Sequence, residues 1–107
     1  MTGLPSGTEE LTAAVRKLVG QVSHWTPSRW AASSVSGLPR SDVVHELVQW
    51  LADRAADAEG EPRRPVPRLD NDLALTDQLR VVAADLVSSG AADAQAATRV
   101  AEVRRTL

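Results

Sequence analysis

Cysteine is absent from the 107-residue sequence, which removes disulfide frameworks, thiolate zinc sites and cysteine nucleophiles together. Isoleucine, phenylalanine and tyrosine are missing as well, and lysine occurs once, at Lys17. The apolar 43% is therefore nearly all Ala, Val and Leu, a set that favours helix, with three tryptophans as the only large rings. An excess of one charge is also lacking. A net charge of −2 gives no global field to hold a polyanion, so nucleic acid starts at a disadvantage as a partner. No apolar run approaches the roughly 18 residues of a membrane span. Residues 1–8 have no charged segment followed by an apolar one, so neither export nor a membrane is expected and the expected compartment is the cytoplasm.

Motifs that would carry chemistry are missing too. There is no Gly-rich phosphate loop and no serine in a nucleophile elbow. His24 and His45 are the only histidines, and neither has a second ligand at metal spacing. The expectation is a protein with no enzymatic activity, no cofactor and no metal. His45 falls on the polar side of its helix and reads as a solvated surface histidine. Arginine outnumbers lysine eleven to one, a bias read as GC-rich coding rather than a demand for guanidinium chemistry.

What is present is helical periodicity with clear punctuation. Ser6 and Glu9 have capping-box spacing, and Leu11, Val15, Leu18, Val19 and Val22 form one stripe, predicting a helix over 8–23. Pro27 ends it and, with Thr26 as cap, opens a short helix over 27–32 that carries Trp30. Residues 33–40 are loop by composition, with Leu38 expected to anchor in the core. Ser41 is read as the cap of a helix over 42–59 whose buried stripe is Val44, Leu47, Val48, Leu51, Ala55 and Ala58, stopped by Gly60. Val43 and Trp50 lie at the margin of that stripe.

Residues 60–69 carry Pro62, Pro65 and Pro67, a spacing that favours extended backbone and forbids helix. A connector of this length is expected to lie across the helices as a strap, pinned by Val66 and Leu69. Leu73 and Leu75 are expected to be buried, and Thr76 or Asp77 to open a helix over 76–89 with Leu79, Val82, Ala83, Leu86 and Val87 inward. A last helix over 92–105 places Ala92, Ala96, Val100, Val103 and Leu107 on one face, with the Arg99 stem along its apolar edge.

The expected fold is all-α. One domain over 1–107 forms a small four-helix bundle, orthogonal or up-and-down, with an additional short helix after Pro27 and the Pro-rich connector between two helical hairpins. The expected core is Trp30, Leu18, Val22, Leu47, Leu51, Leu79, Leu86, Val100 and Val103, because only tryptophan can fill the gaps that Ala, Val and Leu leave. The candidate interaction surface is Trp25, Arg29, Trp50, Val43, Arg63 and Arg64, since Trp and Arg are the residues that interface hot spots favour.

Three motifs, His24-Trp25-Thr26-Pro27, Arg64-Pro65-Val66-Pro67-Arg68-Leu69-Asp70 and Asp77-Gln78-Leu79-Arg80, resemble small uncharacterised all-helical proteins of high-GC Gram-positive bacteria over most of the chain. The resemblance implies a free-standing cytoplasmic protein and no particular activity. The function expected from the residues is protein binding, with an unidentified protein or a second copy of the chain as partner. One alternative is a helical regulator touching nucleic acid through Arg63, Arg64 and Arg68. The other is a small-molecule site beside Trp25 and His24.

Overall fold

The computed structural model describes residues 6–107; the part of the leader reading that rests on residues 1–5 lies outside them. The chain forms five helices and no strand among the described residues: α1 (Gly7–Val22), α2 (Pro27–Ala31), α3 (Arg40–Glu59), α4 (Ala74–Ser88) and α5 (Ala94–Thr106). Local sequence explains most of their ends. The Ser6 hydroxyl accepts the Glu9 amide at 3.1 Å, and Thr26 accepts the Arg29 amide at 3.3 Å with Pro27 in the first helical position. Asp93 accepts the Ala96 amide at 2.8 Å and so starts α5. Gly60 ends α3 at φ 68°, and the Glu61 amide reaches back to the Ala56 carbonyl at 2.9 Å, the Schellman arrangement.

Three helix starts differ from the sequence reading: α5 begins at Ala94 because Asp93 is its cap, and the other two are those of α3 and α4. Helix α3 begins at Arg40, so Ser41 is not its cap but a residue of the first turn, buried against the core. The reason is Pro39, whose carbonyl accepts the Asp42 and Val43 amides while the Arg40 amide donates to Ala32. Helix α4 begins at Ala74 rather than at Thr76 or Asp77. Asn71 accepts the Leu73 amide through its side chain and the Ala74 amide through its carbonyl, which starts the helical turn early and leaves Thr76 buried.

The buried faces follow the predicted stripes of α1 and α3 and, apart from the half-buried Val87, of α4; on α5 only Ala96 and Val100 of the predicted face are buried, with Ala97 added, and Ala92 and Leu107 are half-buried. Trp30 is fully buried among Leu18, Val22, Leu47, Leu51, Leu79, Leu86 and Val100. Four residues expected inside are not. Leu38, Leu69 and Leu73 are exposed, and so is Ala58. The three leucines sit in turns or the connector, where no helical face carries them inward, and Ala58 lies beyond Ala55, the last buried residue of α3. Val103 is only half-buried, because it lies at the open edge between α3 and α5.

The long helices do not pack as two sequential hairpins. Helix α1 packs against α5 and α4, α3 packs against α4 and α5, and α2 sits on α3. Helices α1 and α5 run in the same direction. A Cβ added at Gly7 would lie 2.6 Å from the Ala92 carbonyl oxygen, and at the other end the Val35 amide donates to Thr106 at 2.9 Å. Helix α3 runs opposite to α5, since Arg54 in its C-terminal half reaches Asp93 at 2.8 Å.

Helix α4 runs parallel to α3, and the proline-rich connector makes that possible. As the connector ascends from Arg63 to Arg68, its contacts on α3 descend: Asp57, Gln49, His45 and Asp42. The stretch of α3 from Asp57 to Asp42 rises about 22 Å at about 1.5 Å per residue. Polyproline-type backbone covers about 16 Å over the same connector residues, and the arginine side chains at its two ends reach the rest. The connector is thus a crossover strap along α3. It does not separate two hairpins, because α1 with α3 and α4 with α5 are not the pairs that pack.

Candidate interaction surface

The open edge between α3 and α5 gathers Leu38, Val43 and Val103 with Trp50 nearby, and the loop before α3 completes it. Residues 33–39 fold back on themselves through a backbone bridge between Ser33 and Pro39. The buried Ser34 holds the turn: its amide and hydroxyl both donate to the Leu38 carbonyl at 2.8 Å. Gly37, at φ 89°, supplies the left-handed residue that the turn requires. The tip is tied to the end of α5 by the Val35 amide. Val35 is consequently 81% exposed and Leu38 44% exposed on a backbone fixed at both ends, a rigid display of apolar side chains.

Beside them lies a groove of about 290 Å³ lined by Leu38, Val43, Leu47, Arg99, Glu102 and Val103 among others. Farther along the same edge is Trp50. Two guanidinium groups approach its ring, Arg54 at 4.9 Å and Arg99 at 5.5 Å from the ring centroid. Arg54 is itself fixed by its ion pair with Asp93. Guanidinium stacking of this kind contributes roughly 0.5–1 kcal/mol at exposed sites and holds the indole in one orientation. No family model, curated protein or solved structure matches this chain.

The six residues proposed as a surface from sequence are divided by the structure. Val43 and Trp50 share the α3/α5 edge and are half-buried there. Trp25 is 7% exposed, a correction to its place on the surface. Its ring packs edge-on against Trp30, with centroids 5.1 Å apart and planes at 73°. Arg40 at 5.0 Å and Arg29 at 5.9 Å from its centroid cover it. Arg29 itself is exposed, as is His24. Arg63 and Arg64 lie on the strap, where Arg63 pairs with Asp57 near the Arg54 end of α3.

The strap is held chiefly by side chains of α3. Gln49 accepts the Val66 amide at 2.7 Å and donates to the Arg64 carbonyl at 3.0 Å. His45 Nε2 lies 3.0 Å from the Val66 carbonyl, so this histidine is a half-buried strap contact rather than a solvated one. Gln78 of α4 donates to the Pro67 carbonyl at 2.9 Å. Arg63 makes a two-pronged contact with Asp57 at 2.9 and 2.7 Å, and Arg68 pairs with Asp42 and Asp72. The hydrogen bond from Arg63 holds the Asp57 carboxyl below its ordinary value. Of the three strap arginines, only Arg64 has no ion pair among the described residues.

Sequence reasoning missed Val35 and misplaced Leu38. The signal was there: Gly37-Leu38-Pro39 is turn sequence, and a turn at the surface exposes its side chains. It also missed Arg54 and Arg99 as ring-stacking partners, because their approach to Trp50 depends on α3 and α5 being neighbours. Among the described residues there is no group of three metal-ligating side chains, and no helix is long and apolar enough to cross a membrane.

Proposed function

We propose that this chain is a non-enzymatic cytoplasmic protein-binding module, with the α3/α5 edge and the 33–39 loop as its binding face. In this reading the four long helices form a bundle with one crossover strap, and the bundle serves to hold that face rigid. The observation that carries the proposal is the exposed Leu38 sharing a groove with Val43, Val103 and Arg99, with Val35 exposed on the same doubly tied turn and Trp50 under the Arg99 guanidinium. A rigid apolar patch next to a Trp and Arg cluster matches the composition of interface hot spots. A fixed backbone also lowers the ordering cost of association.

The nucleic-acid reading has less support. A phosphate contact needs basic side chains without acidic partners, and Arg63 and Arg68 are each paired with aspartate. The small-molecule reading beside Trp25 and His24 has a covered ring and an exposed imidazole.

The test is a double variant, Leu38→Arg with Val43→Arg, compared with the parent by size-exclusion chromatography of native cell extract. Neither position is fully buried, so melting should stay within about 1 kcal/mol of the parent. The parent should elute as a complex and the variant as a monomer. A parent that elutes as a monomer contradicts the reading.

A further inference from the structure

The charges on the α3/α5 edge indicate which kind of protein fits it. Glu46, Arg99 and Glu102 are all exposed there, and none of them forms an ion pair among the described residues. Because α3 and α5 run in opposite directions, the charges are sorted along the edge. Glu46 and Glu102 lie toward Leu38 and Val43, whereas Arg99 and Arg54 lie toward Trp50. Arg99 and Glu102 stand one helical turn apart in the same groove, and Arg54 is already neutralised by Asp93, so the unpaired charges of the patch are Glu46 and Glu102 nearer Val43 and Arg99 nearer Trp50.

Building on the protein-binding reading, we infer that the occupant of this face is a second copy of the chain, related by a two-fold axis that crosses the helices. Such an axis sets α5 antiparallel to the α5 of the second copy. Glu102 then faces the partner's Arg99, and Arg99 faces the partner's Glu102, so each pair is made twice, as an isologous interface requires. Glu46 comes to the partner's Trp50 and Arg54 end. An axis along the helices would instead set Glu46 against the partner's Glu102, and like charges face to face are unfavourable. The charges therefore select one of the two ways the face can meet itself.

The size of the face is adequate for this. Helix α3 has 20 residues, about 30 Å at about 1.5 Å per residue, and two packed helices are about 20 Å wide. The product, roughly 600 Å² per copy, lies at the lower end of specific interfaces, which corresponds to a reversible dimer rather than an obligate one.

Charge reversal tests the arrangement on purified full-length protein by sedimentation equilibrium between about 1 μM and about 1 mM. The parent should show a monomer–dimer equilibrium. Arg99→Glu places Glu against the partner's Glu102, and Glu102→Arg places Arg against the partner's Arg99, so each variant alone should sediment as a monomer. Mixed in equal amounts, the two restore both opposite-charge pairs in a heterodimer, and dimer should reappear. Glu102→Arg, at an exposed position, should melt as the parent does, and Arg99→Glu, which loses its contact with Trp50, slightly below it; an unchanged helical circular dichroism spectrum in both excludes misfolding. The inference is overturned by a parent that stays monomeric throughout, by single variants that dimerise as the parent does, or by a mixture that stays monomeric. If purified parent is monomeric yet still elutes as a complex in extract, only self-association fails and the binding reading stands with another partner.

Discussion

At the scale of single residues, the tryptophans divide the labour that the composition left to them. Trp30 fills the interior completely, and its indole nitrogen is buried without a hydrogen-bond partner, so its contribution is volume and contact rather than polarity. Trp30→Ala should cost about 3–5 kcal/mol, read as loss of thermal stability. Arg63→Ala, which removes an exposed ion pair from the strap, should cost less than about 1 kcal/mol. Equal effects would contradict the core described above. Trp25 was unreadable from sequence because its burial depends on Arg40, which lies beyond the short helix and the loop. Arg29 and Arg40 flank one ring and Arg54 and Arg99 the other, positions where a planar guanidinium is not interchangeable with an ammonium. That geometry gives part of the arginine excess a structural use beyond coding bias.

At the scale of elements, what is local was legible and what is relational was not. Thr26 with Pro27 and Gly60 act within one helical turn as their spacing implied, and of the Ser6–Glu9 capping box the Ser6 half is made, its hydroxyl accepting the Glu9 amide. Stripes of apolar residues predicted which face of each helix is buried. They did not predict which helix it meets, because periodicity fixes a direction around one axis and carries no information about a partner. Leu38, Leu69 and Leu73 show the related error of reading apolar character as burial outside regular structure. The strap is the intermediate case. Its extended conformation followed from proline spacing, whereas its course along α3 needed His45, read as a solvated surface histidine, and Gln49, to which no role was assigned. Gln49→Ala removes the acceptor of the Val66 amide and the donor to Arg64, and should cost about 1–2 kcal/mol. Faster amide exchange at Val66 and faster proteolysis within 61–69 should accompany it. Unchanged exchange at Val66 would show that the strap is held by other contacts.

At the scale of the whole molecule, the crossover strap decides which surface is left open. With α4 parallel to α3 and α5 parallel to α1, the loop before α3 meets the end of α5 through the Val35 amide, and Leu38 comes to lie beside Val43 and Val103. Two antiparallel hairpins would not have brought those residues together. The candidate site was therefore legible in its members Val43 and Trp50 but not as a place, since its other half comes from α5 and from a loop assigned to the core. The measurement that tests this most directly is photo-crosslinking in the producing cell, with a photoreactive side chain replacing Val43 in one variant and the exposed Ala13 of α1 in another. A polypeptide adduct from position 43 that position 13 does not give is the expected result. No adduct from position 43, or the same adduct from both, would contradict the α3/α5 edge as the binding face.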